Sequence, residues 1–219
     1  MGSFEVSGWV KSTLSGIPAG QSILDVGAGE CQYKGNCQHL KYISQDLCEY
    51  NGKDEGKWDY SKIDLKCDIT SIPVDGASFD NILCSDVLEH VPEPDKAIKE
   101  FTRILRSGGL LILSTPFSCN THQLPYFFNA GLHENWYKFH LQDYDILEIH
   151  KDGNYFTQLS QELSRLKSVW LRTYSEYRLD CFEEAKIESV LILINKIEKL
   201  SGDTSNFVCG SYQILARRK

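Results

Sequence analysis

In ILDVGAGEC (residues 23–31) an apolar run carrying one acid, Asp25, meets a Gly-Ala-Gly turn. Apolar residues on both sides of that acid read as a strand buried on both faces, as in a parallel sheet. Where such a strand ends in glycines, backbone N–H groups face the space beyond its carboxyl end, and sheets of this kind take ligands there. Gly27 and Gly29 carry no side chain to keep a ligand from the main chain. A dinucleotide fingerprint asks for a third glycine where Gln32 stands, so the loop does not argue for a pyrophosphate. Asp46 closes the next strand-like run, about 20 residues on, where a carboxylate can accept both hydroxyls of a ribose.

Outward from this turn the pattern repeats. SILDVG (22–27), YISQD (42–46), IDLKCDI (63–69), FDNILCS (79–85) and LLILST (110–115) are short, apolar and bounded by turn residues. PDKAIKEFTRILRSGG (94–109) places Ala97, Ile98, Phe101, Ile104 and Leu105 at helical spacing, with Pro94 at its start and Gly108–Gly109 at its end. A short helix over 5–15 leads the chain, closed by GIPAG. Strands alternating with helices predict a doubly wound α/β fold with right-handed crossovers. After Pro116 the texture changes to aromatics and histidines (117–141). A strand with its turn follows (143–153), then helical segments within 155–200 and a last strand in NFVCGSYQILARR. The expectation is one domain over 1–219 with an elaborated C-terminal half.

Composition narrows the function classes. The 219 residues carry a net charge of −7, and the only basic cluster is Arg217, Arg218 and Lys219, so no basic stripe offers itself to nucleic acid. No apolar run approaches a membrane span, and no signal peptide is visible, so a cytoplasmic location is expected. None of the eight cysteines forms a C-x-x-C pair, and several lie in apolar runs, which favours reduced, mostly buried thiols.

The polar cluster SDVLEHVPEP (85–94) follows the fourth strand and sets Asp86, Glu89 and His90 at D-x-x-E-H spacing. His90 reads either as a general base or as a hydrogen-bonded brace for the turn before Pro92. A divalent metal on Asp86, Glu89 and His90, completed by His122 or His133, is the alternative; harder metals prefer oxygen ligands, and no metal is assigned. Phe117, Tyr126, Phe127, Phe128, Trp136, Tyr137 and Phe139 suit a sugar face or planar ring, or else the core of a helical cap.

Taken together, ILDVGAGEC, YISQDL and CDITSIPVDGASFDNILCSDVLEHVPEPDKAIKEFTRILRSGGLLILSTPF resemble the class I S-adenosylmethionine-dependent methyltransferases, in the small-molecule subgroup with an LEHV turn. The resemblance runs from about residue 20 to 117. The family's D-x-G-x-G-x-G is met at Asp25, Gly27 and Gly29, with Cys31 in place of the third glycine. HENWYKFHL (133–141) and GNYFTQLSQELSRL (153–166) resemble methyltransferases of bacterial polysaccharide or natural-product loci. The resemblance implies a Rossmann-like seven-stranded sheet in order 3-2-1-4-5-7-6, its last strand antiparallel. It implies S-adenosyl-L-methionine as cofactor. Gly27, Ala28 and Gly29 would pack on the methionine part and the ribose, and Asp25 would hold the ammonium through water. Asp46 would take the ribose diol and Leu47 would lie against the adenine. Asp68 and the Ile69 N–H would meet the adenine edge, and the Ser85 backbone would accept from the ammonium.

The resulting expectation is methyl transfer to a hydroxyl of a sugar or other small molecule. His90 is the first candidate base and His122 the second, with 117–141 and 155–200 as substrate caps. N-methylation of an amine and a non-catalytic nucleoside-binding module are the rival readings, and a homodimer is compatible with any of them.

Overall fold

A computed structural model describes residues 8–50, 58–167 and 175–219. Two compact units form, residues 1–150 with 212–219, and residues 151–211.

The first unit holds α1 (Gly8–Ser15), β1 (Ser22–Val26), β2 (Lys41–Asp46), β3 (Leu65–Lys66), β4 (Phe79–Ser85), α2 (Pro94–Ile104), β5 (Leu105–Pro116) and α3 (Glu134–His140). Two further strands, β6 (Tyr144–Asp152) and β7 (Ser211–Arg218), complete one seven-stranded sheet in the order β3-β2-β1-β4-β5-β7-β6. Strands β3 to β5 pair in parallel, and the last strand is antiparallel, as the resemblance implies. β1 pairs with β2 on one side and β4 on the other, so the strand order reverses between β1 and β4. The core explains the apolar runs: Ile23, Leu24, Val26, Ile82, Leu83, Leu111, Ile112 and Leu113 are fully buried. α1 sets Val10 and Leu14 against Ile23, Leu83 and Ile112 on one face of the sheet.

Three local expectations are corrected. Between the glycine turn and β2, where the alternation of strands and helices calls for a helix, stands a short 3-10 turn, Lys34–Cys37. Cys31 takes a left-handed backbone at φ +59° and closes a tight turn onto the Ala28 carbonyl, which bends the chain away before a helix can start. The run 63–69 pairs only over Leu65–Lys66, because Asp64 is drawn to Ser44 and Asp68 into a turn with Thr70. α2 stops at Ile104, short of Gly108–Gly109: Leu105 pairs with Phe79, and the glycines lie in a bulge before Leu110 meets Asn81. A Cβ on Gly109 would lie 2.7 Å from the Asp80 carbonyl, so a glycine is required in that bulge.

The second unit contains α4 (Tyr155–Arg165) and α5 (Cys181–Leu200), which pack on one another. Asn154 caps α4, and Asp180 with Glu183 forms a capping box on α5. Among the described residues no helix is long and apolar enough to cross a membrane.

Candidate active site

Ligands of doubly wound sheets bind beyond the carboxyl ends of the strands where the order reverses. Here the 27–31 turn after β1 faces the 86–91 turn after β4. Gly27 has φ +66°, and a Cβ on it would lie 2.4 Å from Val87 Cγ2; Gly29 has φ +53°, and its Cβ would lie 2.6 Å from Trp58 Cζ3. Both glycines are therefore required by the packing of Val87 and Trp58 as well as by the left-handed backbone.

The turn is tied to the end of β2. Gly27 N donates to Gln45 Oε1 (3.3 Å), Ala28 N to the Gln45 carbonyl (2.9 Å) and Gly29 N to Asp46 Oδ2 (2.9 Å). Asp46 Oδ1 also accepts from Cys48 N at 2.7 Å. Each carboxylate oxygen retains a second lone pair, so hydroxyls can still approach it. Gln45, buried at the end of β2, completes the brace by donating from Nε2 to the Cys67 carbonyl at 2.6 Å.

Asp25 is 2% exposed and accepts from the Tyr42 hydroxyl at 2.5 Å. Burial pushes its pKa up to about 7; the Tyr42 bond lowers it, and the neighbouring Asp46 charge raises it. Among the described residues no basic side chain pairs with it. A buried carboxyl without a cation fits the ammonium end of an amino-acid ligand. Ser85 is buried, its hydroxyl bonded with Tyr33 (3.0 Å) and Ser114 (2.8 Å). Asp68 is exposed and accepts from Thr70 N at 2.7 Å; beside it Ile69 is buried, and Leu47 is exposed.

The polar cluster divides. Glu89, His90 and His122 converge, with one donor atom from each all lying within 4.8 Å of one another. The His90 and His122 rings meet edge to face at 4.8 Å, and Phe127 packs against both. His90 Nδ1 lies 2.5 Å from the Tyr126 carbonyl and His122 Nδ1 lies 2.9 Å from that of Asn120. A carbonyl only accepts, so both Nδ1 atoms carry a proton, and in the neutral ring Nε2 is the atom with the lone pair. Glu89 is 1% exposed, with Oε1 3.7 Å from His90 Nε2, and its buried Oε2 has no hydrogen-bond partner among the described residues. Burial raises Glu89 to about 8, helped by the charge of Asp86, and lowers His90 to about 4, against the bond to Tyr126.

Asp86 lies outside this group of three. Its backbone is left-handed at φ +55°, and its carboxylate accepts from Ser114 Oγ (3.1 Å) and Ser85 Oγ (3.4 Å). His133 caps α3, accepting from Asn135 N.

The 117–131 loop carries His122 to the cluster. It is pinched at its base by a bridge between Phe117 and Gly131. Phe128 N and Asn129 N donate to the Glu89 carbonyl at 2.9 and 3.2 Å, and the Tyr126 hydroxyl donates to Glu49 Oε2 at 3.0 Å. Of the aromatics in 117–141, Tyr137 is core, bonded through its hydroxyl to Thr115, whereas Phe128 and Phe139 are exposed.

Residues 24–113 match the family described as a methyltransferase domain. A ubiquinone biosynthesis O-methyltransferase of Coxiella burnetii (strain Dugway 5J108-111) is 31% identical over 103 residues, 44% of each protein. The chain thus spans about half the length of the curated relatives it matches. Among solved structures, the [4+2]-cyclase SpnF is similar with a TM-score of 0.56 at 18% identity, over 96% of this chain and 80% of that one. The phosphoethanolamine N-methyltransferase 2 of Haemonchus contortus, in complex with S-adenosyl-L-methionine, has a TM-score of 0.52 at 15% identity, over 96% of this chain and 51% of that one. These two likenesses concern the fold.

Proposed function

We propose that this chain, which carries a class I methyltransferase domain with S-adenosylmethionine as its cofactor, transfers the methyl group to an oxygen of a small-molecule acceptor such as a sugar. One observation carries the choice of oxygen. Two imidazole Nε2 atoms converge beside the turn that faces the glycines, and that of His90, kept neutral by burial, is open to the proton that a hydroxyl must give up.

In this reading Asp25 and the Ser85 carbonyl receive the cofactor's ammonium. Gly27, Ala28 and Gly29 line its methionine and ribose, and Asp46 takes the diol. Leu47, Asp68 and the Ile69 N–H meet the adenine. The enzyme's task is alignment of acceptor oxygen, methyl carbon and sulfur, with water excluded by the 117–131 loop. His90 Nε2 accepts the acceptor's proton and His122 orders the other side of the acceptor. The test is release of S-adenosylhomocysteine with matched hydroxyl and amine acceptors. Turnover of amines alone would move the assignment to N-methylation, and tight cofactor binding without turnover of any acceptor would favour a binding module.

A second reading rests on the same convergence. Two imidazoles and a carboxyl within 4.8 Å are a donor set for a divalent transition metal, with Glu89, His90 and His122 as ligands in place of the Asp86, Glu89 and His90 set. Activity lost on chelation and restored by zinc or manganese would establish it; activity indifferent to chelators would exclude it.

A further inference from the structure

We propose that Tyr126 is a positioning residue whose side chain straps the 117–131 loop across the cofactor cleft, and so sets how fast the cofactor and its demethylated product pass in and out. The proposal rests on the seating of the cofactor at the glycine turn and Asp46 given above. Sheet order supplies the geometry. β1 lies between β2 and β4, so its glycine turn is flanked by the chain leaving β2 on one side and by the 86–91 turn on the other. Glu49 belongs to the first flank, three residues past Asp46 at the end of β2. Tyr126 is fastened to the second: its carbonyl lies 2.5 Å from His90 Nδ1, and Phe128 N and Asn129 N donate to the Glu89 carbonyl at 2.9 and 3.2 Å. The Tyr126 hydroxyl then donates to Glu49 Oε2 at 3.0 Å. A bond that joins the two flanks passes over the end of β1, where ligands of such sheets sit.

The strap can open without dismantling the rest of the loop. The loop is closed at its base by the Phe117–Gly131 bridge and by Cys119 N on the Ala130 carbonyl at 2.9 Å. Farther along, the bonds to His90 and Glu89 keep it on the 86–91 turn. Of these contacts only the Tyr126–Glu49 bond reaches the β2 side. It is also the exposed one, with Glu49 on the surface and Tyr126 half-buried, so water can take the place of either partner. The bond to Glu49 holds the Tyr126 phenol above its ordinary range, so at neutral pH it keeps the proton it donates. Parting this bond uncovers the β2 side of the cleft while His122 stays against His90. One residue thereby serves both halves of the site, its carbonyl fixing the His90 ring and its hydroxyl closing over the cofactor.

The experiment is stopped-flow mixing of the full chain with S-adenosylhomocysteine, with the fluorescence of Trp58 beside Gly29 as the reporter of entry and release. Tyr126→Phe and Glu49→Ala should each speed release about fivefold, the worth of one hydrogen bond. The same bond must part for entry, so association should speed by a similar factor and the dissociation constant should stay close to wild type. A contact that merely held the ligand would raise the release rate and the dissociation constant together. Glu49→Gln keeps a carbonyl oxygen for the phenol and should stay slower than Glu49→Ala. Tyr126→Phe combined with Glu49→Ala should be no faster than either alone, since both remove one bond. Unchanged release in both single variants, a dissociation constant that rises with the release rate, Glu49→Gln as fast as Glu49→Ala, or additive effects in the double variant overturns the strap. Asp46→Ala, measured alongside, tells two failures apart. Weakened binding there, with release unmoved by Tyr126→Phe, sinks the strap and leaves the seating of the cofactor standing; unaltered binding removes the seating and the strap with it.

Discussion

Acidification should weaken cofactor binding through one buried carboxyl. Asp25 is 2% exposed, and burial lifts its pKa from 3.8 to about 7. Below 3.8 the folded and unfolded chains both hold this proton, and the group's contribution to stability is fully present. As pH rises from there through about 7, the unfolded chain ionises first and stability falls. At about 1.4 kcal/mol per pH unit, the whole loss amounts to about 4 kcal/mol. A cation seated on Asp25 favours the ionised form and draws the proton off on binding. Cofactor affinity should therefore rise between about pH 5 and about pH 7, approaching tenfold per unit, and then level. Above about pH 8 the cofactor's own α-amino group titrates, and affinity should fall again. Calorimetry in two buffers of different ionisation enthalpy counts the proton released. Asp25→Asn should abolish the acid limb, weaken binding at about pH 8, and remove most of the stability loss of the free protein there. Wild-type affinity that stays flat from about pH 5.5 to about pH 8, or an acid limb that survives in Asp25→Asn, refutes the seating of the ammonium on this residue.

Four further substitutions, at three positions, probe the remaining parts of the site. Gly27→Ala should cost about 1–2 kcal/mol for its left-handed backbone alone, and more because its methyl would meet Val87; thermal melting with and without cofactor measures this, and an unchanged melting temperature would show that the turn adapts freely. Asp46→Ala should weaken cofactor binding by about 1–3 kcal/mol, read by titration, and an unaltered dissociation constant would place the ribose elsewhere. His90→Ala should lower kcat by about 10²–10⁴-fold. His90→Asn can still donate to the Tyr126 carbonyl but offers no imidazole lone pair, so it should keep the wild-type melting temperature and lose the same rate; full activity in His90→Asn would leave the histidine only its bracing role.

The sheet was legible because its strands are buried on both faces, and a run such as FDNILCS or LLILST has few other solutions. The local boundaries were harder. Gly108–Gly109 reads as a helix stop, yet Leu105 already belongs to β5, because pairing with Phe79 outweighs one more helical turn. The missing helix after the glycine turn has the same character: Cys31 in a left-handed turn is a property of the folded loop that composition does not announce. At the site, Asp25, Gly27, Gly29 and Asp46 carry a signal in their order along the chain. Tyr42, Gln45 and Tyr33 do not. They read as ordinary strand or loop residues, and only the sheet brings Tyr42 to Asp25, Gln45 to the glycine turn and Tyr33 to Ser85. Val87 and Trp58, which fill the space beside the two glycines, are likewise visible only in three dimensions.

In sequence terms base and brace were rival readings of His90. Under the proposed function the two roles fall on different atoms of one ring. Nδ1 spends its proton on the Tyr126 carbonyl, which fixes the tautomer and leaves Nε2 with its lone pair toward Glu89 and His122. In the proposed function, therefore, the brace prepares the base. It also joins two loops, since the same turn receives Phe128 N and Asn129 N on the Glu89 carbonyl. The chain after β5 is held where His122 meets His90, so the proposed mechanism couples proton acceptance to the position of the 117–131 loop. A substitution that breaks the Nδ1 bond therefore disturbs tautomer and loop together, whereas one that keeps the donor and removes the lone pair separates them.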